Sequence, residues 1–285
     1  MECADSSAYR DWFAFTHAGR RAPTHYPGGV SEQPTTMTTT VTTVAVGVAR
    51  ISWDAGQPVD VVRHEVVAAL LDHDRVEALV DPADEAAQRT ATWSGMRREG
   101  VMRGVPVDGA PADRIVYARL ASDLPTHEPE GFRALLNSFL PRKRAISQLL
   151  MRDESERVLL CQLTYKQDWD LPGGVVEVGE SPQVAVGREV EEELGLVITP
   201  GPLVLTDWLP PWSGWDDALC LVFDGGVRPA SILEQVVRQE REIRSAEFCT
   251  LEQVDERCAD FTARRVRSAL TNLDGRGSSY TESGR

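Results

Sequence analysis

One stretch of this 285-residue chain crowds acidic side chains onto a helix behind a glycine-rich loop. It reads Leu171-Pro172-Gly173-Gly174-Val175-Val176-Glu177-Val178-Gly179-Glu180, then runs from Ser181 through Arg188-Glu189-Val190-Glu191-Glu192-Glu193-Leu194 to Gly195-Leu196. Ser181 suits an N-cap, Pro182 the first helical position and Gly195 the position just past the end. On such a helix, at about 100° per residue, Glu189, Glu192 and Glu193 share one arc of roughly 100°. Val186, Val190 and Leu194 fall on the opposite flank. Carboxylates spaced i, i+3 and i+4 repel one another by a few tenths of a kcal/mol per exposed pair, and by more when partly buried. Helix stability alone would favour a lysine at one of these sites. Only Arg188 stands nearby, within reach of Glu192 four residues on. A hard divalent cation held by oxygen ligands is the simplest compensation. A glutamate run is also how a solvated helix face looks. Here the adjoining glycines, whose carbonyls can approach a cation, and the placement of Glu180 and Arg188 favour the cation.

The same residues resemble the Nudix box, Gly-x5-Glu-x7-Arg-Glu-U-x-Glu-Glu-x-Gly-U, where U is aliphatic. Gly174, Glu180, Arg188, Glu189, Glu192, Glu193 and Gly195 fill the named positions, with Val190 and Leu196 at the aliphatic ones. A chance match in a chain of this composition is on the order of one in a million. The resemblance covers roughly residues 140–272 and shows no departure inside the box. It implies an α/β fold, a Nudix α/β/α sandwich with a mixed sheet. It also implies a metal-dependent hydrolase that cleaves the diphosphate linkage of a nucleoside diphosphate joined to another moiety, using Mg2+ or Mn2+. Glu189, Glu192 and Glu193 carry over as metal ligands, joined by the carbonyl of Gly173. Arg188 would orient the glutamates through charge-assisted hydrogen bonds, and Glu180 would support the loop or assist through a water. The cation would neutralise developing charge and lower the pKa of the attacking water. Glu189 is one candidate for the general base. A later carboxylate, Glu240 or Glu242, is another.

The rest of the composition narrows the chemistry. The formal net charge of -14 argues against binding a nucleic-acid polymer through its phosphates. It leaves room for a nucleotide-sized substrate, because a bound cation inverts the local charge. All five histidines precede residue 128, so the second half of the chain has no histidine base. The five cysteines include no CxxC pair, and Cys161 and Cys220 sit in apolar strands as core thiols. No apolar run approaches the roughly 18 residues of a membrane span, and Met1 to Arg21 lacks a secretory pattern. A cytoplasmic enzyme without membrane partners is expected, with a homodimer allowed. Substrate selection would come from outside the box. Gly174 would line the substrate, and Trp169, Trp208 and Trp212 are candidates to stack on a base, with Trp215 in the same cluster around Pro210-Pro211. The alternative, of equal standing, is that one or two of them simply fill the core.

These residues need elements to position them. Residues 1–40 read as a disordered leader ending in the run Thr35 to Thr40, with Met37 as a second candidate start codon. Residues 41–123 read as a small α/β unit, with helices over 59–71 and 84–94 and strands over 75–80 and 115–120. Residues 124–140 are a linker and a connecting helix over 132–140. The Nudix-like domain spans 141–272. Its strands fall over 145–151, 157–164, 203–208, 218–223 and 242–250, and its helices over 181–194, 251–256 and 261–270. Residues 273–285 read as a flexible tail.

Within the first unit, Asp81 to Arg89, Ser94 to Gly104 and Ala112 to Ala118 resemble the C-terminal half of GNAT-type acetyltransferases that modify protein N-termini. The departures are that family's Gly-rich pyrophosphate turn, replaced by Pro58-Val59-Asp60-Val61-Val62-Arg63, its Asn, replaced by Asp84, and its length, here halved. The unit therefore reads as a truncated, inactive GNAT-like remnant serving packing, dimer contact or the edge of the substrate pocket. An acetyltransferase, alone or bifunctional, is the second functional reading. A nucleotide sensor on a Nudix fold is the third, and the complete glutamate set speaks against it.

Overall fold

A computed structural model describes residues 37–285 except 108, 274 and 276. Residues 1–36, which hold most of the expected leader, lie outside the described residues. Thr39 and Thr40 do not belong to a leader, because they open the first strand. The chain separates into two compact units, Met1–Leu140 and Pro141–Arg285.

The first unit is a five-stranded sheet ordered β1-β2-β3-β5-β4. Its strands are β1 (Thr39–Ala45), β2 (Val48–Trp53), β3 (Arg75–Val80), β4 (Arg97–Val107) and β5 (Ala110–Leu120). Helix α1 (Val59–Ala69) links β2 to the parallel β3, and α2 (Glu85–Trp93) follows β3. In β3 every second residue points inward, so Val76, Ala78 and Val80 meet Val62 and Val66 of α1 and Ala91 of α2. Tyr117 joins this core at 2% exposure, a packing position. The helix expected over 132–140 starts earlier, as α3 (Pro129–Phe139), because Pro129 suits a first helical turn.

The second unit is a mixed sheet between two helical layers. Its strands are β6 (Arg144–Arg152), β7 (Val158–Leu163), β8 (Trp169–Asp170), β9 (Gly173–Val175), β10 (Leu203–Leu209), β11 (Ala218–Val227), β12 (Ile243–Cys249) and β13 (Tyr280–Glu282). The main path is β12-β7-β6-β11-β10-β13, with β6–β11 and β10–β13 parallel. Alternation sorts the side chains. Leu149, Met151, Leu159 and Cys161 meet Val186, Val190 and Leu194 of helix α4 (Pro182–Leu194). Leu150, Val158 and Leu160 face the other way, onto Val254 of α5 (Leu251–Arg257) and Ala263, Val266 and Ala269 of α6 (Asp260–Leu273). This is the expected α/β/α sandwich. Among the described residues no helix is long and apolar enough to cross a membrane.

One irregularity positions the functional segment. Strands β6 and β7 pair only at Arg152 and Val158. Residues 169–175 then enter as a wedge. Asp170 pairs with Cys161 of β7 on one side, while Gly173, Gly174 and Val175 pair with Gln148, Ser147 and Ile146 of β6 on the other.

The chain end departs from the expected flexible tail. β13 pairs with β10, the Thr281 hydroxyl and the Gly284 N–H both donate to the buried Asp207 carboxylate, and Arg264 Nε donates to the Ser283 carbonyl. Buried hydrogen-bond partners tie down a glycine- and serine-rich segment that composition alone marks as mobile.

Helix α4 ends as its sequence predicts. Ser181 Oγ accepts from Val184 N, and Gly195 adopts φ 68°, donating its N–H to the Glu191 carbonyl. A side chain there would be strained and would press on Val237. Gly195→Ala is expected to lower the unfolding free energy by about 1–2 kcal/mol. Urea titration checks this, and an unchanged midpoint would contradict the capping role.

Candidate active site

The wedge sets the glycine loop directly against α4. The Gly173 N–H donates to Glu193 Oε2 at 3.0 Å. Gly173 sits at φ +133°, and a Cβ there would collide with the Ser147 carbonyl. A Cβ on Gly174 would lie 2.5–2.7 Å from the Glu189 carboxylate. Both glycines are required by close approach, one to β6 and one to the glutamate cluster.

Arg188 is the hub of the acidic side chains. Its Nε and Nη2 donate to the two oxygens of Glu180 at 2.9 and 3.1 Å, a bidentate pair. Nη1 donates to Glu192 Oε2 at 2.9 Å, the contact expected four residues along the helix. Nη2 also lies 3.1 Å from Glu189 Oε1. Glu180 in turn accepts from the Glu177 N–H, closing the loop. Hydrogen bonds from Arg188 hold the Glu180 carboxyl below its usual range, and the Glu180 bonds raise the Arg188 guanidinium in return.

The glutamates divide by exposure. Glu192 is 59% exposed and rests on Arg188. Glu189 is largely buried, and burial pushes its carboxyl up despite Arg188. Glu193 is 5% exposed, and burial pushes it up to about 8, helped by the charges of Glu189, Glu242 and Asp170 and opposed by the Gly173 N–H. Among the described residues no three His, Cys, Asp or Glu side chains stand preassembled at metal-ligand geometry. Arg188 supplies the counter-charge instead. The donor set nevertheless fits a hard cation, with carboxylates in a desolvated site where ionisation needs a positive partner. The Ser147 hydroxyl, on the strand face shared with Leu149 and Met151, is buried and has no hydrogen-bond partner among the described residues.

The later loop reaches the same site. Val237 N donates to the Leu194 carbonyl and Gln239 N to the Glu193 carbonyl, satisfying the last turn of α4. Thr164 N donates to the Glu242 carbonyl. Glu242 acts electrostatically on both Glu189 and Glu193, and Glu240 is exposed.

The tryptophans separate. Trp169 is a correction: at 9% exposure it packs into the core facing α5 and α6, with the Arg257 guanidinium 4.6 Å from its ring centroid. Its ring lies on the side of the sheet that Val254 of α5 and Ala263, Val266 and Ala269 of α6 cover. Trp208 is half-buried and bonds the Asp217 carboxylate, which also pairs with Lys143. Trp212 and Trp215, 55% and 57% exposed, flank a tight turn through Ser213 and Gly214. Trp212 stands edge-on to Phe261 at 5.4 Å, and Arg144 lies 4.9 Å over Trp215.

Sequence reading missed a buried polar chain. Asp170 accepts from the Leu171 N–H, Gln148 Nε2 and Lys166 Nζ, and Gln148 Oε1 accepts from Arg265, which also pairs with Asp207. Its available signal is the polar Ser147-Gln148 pair inside an apolar strand.

Residues 141–270 match the model of the NUDIX domain. A MutT-like protein of Streptomyces ambofaciens is 30% identical over 133 residues, covering 47% of this chain and 78% of that one. The chain belongs to the Nudix family. An 8-oxo-dGTP diphosphatase of Haemophilus influenzae is 40% identical over 52 residues, 17% of this chain and 38% of that protein. A MutT protein structure from Methanosarcina mazei has a TM-score of 0.41 at 24% identity, covering 48% of this chain and 99% of that one. The family match and the MutT-like relative make this protein a Nudix pyrophosphohydrolase. The family match starts at residue 141, so it lends no support to the acetyltransferase resemblance of the first unit.

Burial of Glu193 makes a pH prediction. A carboxyl held near 8 in the folded state and near 4.5 when unfolded disfavours folding once it ionises. Stability without divalent metal therefore declines as pH rises from about 5 to about 8. Glu193→Gln is expected to remove most of that slope in thermal melts with EDTA. An identical slope in both proteins would contradict the burial.

Proposed function

We propose that this Nudix enzyme hydrolyses a nucleoside triphosphate, oxidised forms included, or a nucleotide sugar such as ADP-ribose, with Mg2+ or Mn2+ held by Glu189, Glu192, Glu193 and the Gly173 carbonyl. The carrying observation is the group of carboxylates gathered around Arg188, with Glu193 desolvated against the glycine loop. A bound cation supplies charge neutralisation at the diphosphate and acidifies the attacking water. Arg188 keeps Glu189 and Glu192 oriented, and Glu180 anchors Arg188 to the loop. Glu193, once ionised, places its charge where water cannot screen it. For the general base, Glu189 remains one candidate, and the coupling of Glu242 to Glu189 and Glu193 favours it over Glu240 among the later carboxylates.

Trp212, edge-on to Phe261, offers the exposed aromatic face on which a base would stack. The Lys143 and Trp208 bonds to Asp217 offset the repulsion this carboxylate would otherwise exert on a phosphate. The name of the Haemophilus influenzae relative makes oxidised guanine triphosphates the first substrates to try.

The first unit is given no acetyl-transfer role. Helix α1 opens on Pro58 with no side-chain cap and carries Asp60 in its first turn, a carboxylate that opposes a diphosphate at that helix end.

The test is a nucleotide panel with Mg2+, comparing wild type with Glu192→Gln. Turnover of at least one substrate is expected, falling by 10²-fold or more in the variant, in line with the roughly 10²–10³-fold cost of removing one electrostatic stabiliser from an active site. Equal turnover would falsify the metal assignment, and tight binding without turnover would favour the sensor.

A further inference from the structure

We propose that the buried chain Lys166–Asp170–Gln148–Arg265–Asp207 positions the Gly173 loop against Glu193, so that Asp170 and Gln148 are positioning residues of the cation site. This rests on the reading that a divalent cation sits among the glutamates.

The geometry is continuous from the core to the loop. Asp207 is fully buried and accepts from Arg265 Nε at 2.9 Å, from the Thr281 hydroxyl and from the Gly284 N–H. Arg265, 1% exposed, donates from Nη1 to Gln148 Oε1 at 3.0 Å. The amide of Gln148 passes the connection on, donating from Nε2 to Asp170 Oδ1 at 2.8 Å. Asp170 Oδ1 also takes the Leu171 N–H at 2.9 Å, at the root of the glycine loop, and Oδ2 takes Lys166 Nζ at 2.7 Å. The backbone of Gln148 is the register partner of Gly173, whose N–H reaches Glu193. The side chain of one residue thus staples the wedge across the gap left by β6 and β7, while its backbone carries the loop.

Stability alone is a poor reason for this arrangement. Arg265 and Asp207 are withdrawn from water and Asp170 nearly so, and a well-packed apolar set of similar volume is often as stable or more so. Arg265 Nη2 lacks a hydrogen-bond partner among the described residues, so the network is not even fully satisfied. What the network provides is a fixed geometry at a loop that no regular strand holds. The same guanidinium lies 5.8 Å over Phe261, against which Trp212 stands, so one buried side chain braces both the loop and the exposed aromatic turn.

The test measures Mn2+ binding by calorimetry and by the loss of free Mn2+ signal in electron paramagnetic resonance. It uses the full chain as wild type, Gln148→Met, Asp170→Asn and Glu193→Gln. Gln148→Met removes both hydrogen bonds at nearly constant volume. Asp170→Asn removes only charge and keeps the shape, so it stays folded if the first variant does not. The expected result is Mn2+ affinity weakened roughly 10- to 100-fold in both variants, the range for residues that orient metal ligands, with circular dichroism unchanged. Lys166→Met, which alters only the exposed end of the chain, should give a smaller loss in the same direction. Unchanged Mn2+ affinity in the folded variants, whatever their melting temperatures, would overturn the proposal and leave the network a purely structural one. Failure of the wild type itself to bind Mn2+, or equal binding by Glu193→Gln, would instead overturn the cation reading on which it rests.

Discussion

Like charges gathered on one helix face must be held there by something positive, and in this protein that is the guanidinium of Arg188. It spans Glu180, Glu189 and Glu192 and ties the loop before the helix to the helix itself. Arginine suits this place because its planar fork presents several donors in fixed directions. The fourth carboxylate, Glu193, is beyond its reach and relies on a single backbone N–H. That imbalance gives the site its chemical character. One side of the cluster is already neutralised, and the other, at Glu193, keeps a desolvated carboxyl without a cationic partner among the described residues, which is where the proposed cation would act.

The sheet supplies the geometry for this. A regular hairpin of β6 and β7 would leave no room for the glycine loop in the middle of the layer. Their divergence after Arg152 and Val158 opens the gap that residues 169–175 fill, and the absent Cβ atoms at Gly173 and Gly174 let loop, strand and glutamates close on one another. The loop after β11 then returns to cap the last turn of α4 through Val237 and Gln239, which delivers Glu242 to the same place. Three stretches distant in sequence meet because each satisfies backbone groups that another leaves open.

Much of this was legible in the sequence, for a local reason. The ends of α4 are written in Ser181, Pro182 and Gly195, and its acidic and apolar faces follow from spacing. The sandwich followed from the family resemblance carried by those residues. The wedge was not legible, because strands of two and three residues are too short to show a period. Trp169 could not be told from a ligand contact, since residue type does not reveal whether a ring meets solvent. Strand β1 was obscured by reading threonines as low complexity, although β-branched residues suit strands. The C-terminal strand was hidden by its glycines and serines, and it forms because Asp207, 74 and 77 residues away, binds Thr281 and Gly284. Gln148 and Arg265 are separated by 117 residues, a pairing that no local pattern announces.

The central claim is that the carboxylates on α4 form a cation site rather than an arginine-bound surface. Anomalous diffraction from a crystal soaked in Mn2+ addresses it directly. A single strong peak among the side chains of Glu189, Glu192 and Glu193, within about 2.0–2.3 Å of their oxygens, with Glu192 turned away from Arg188, is the predicted result. A map without that peak, in which Glu192 still rests on Arg188 at saturating Mn2+, would contradict it.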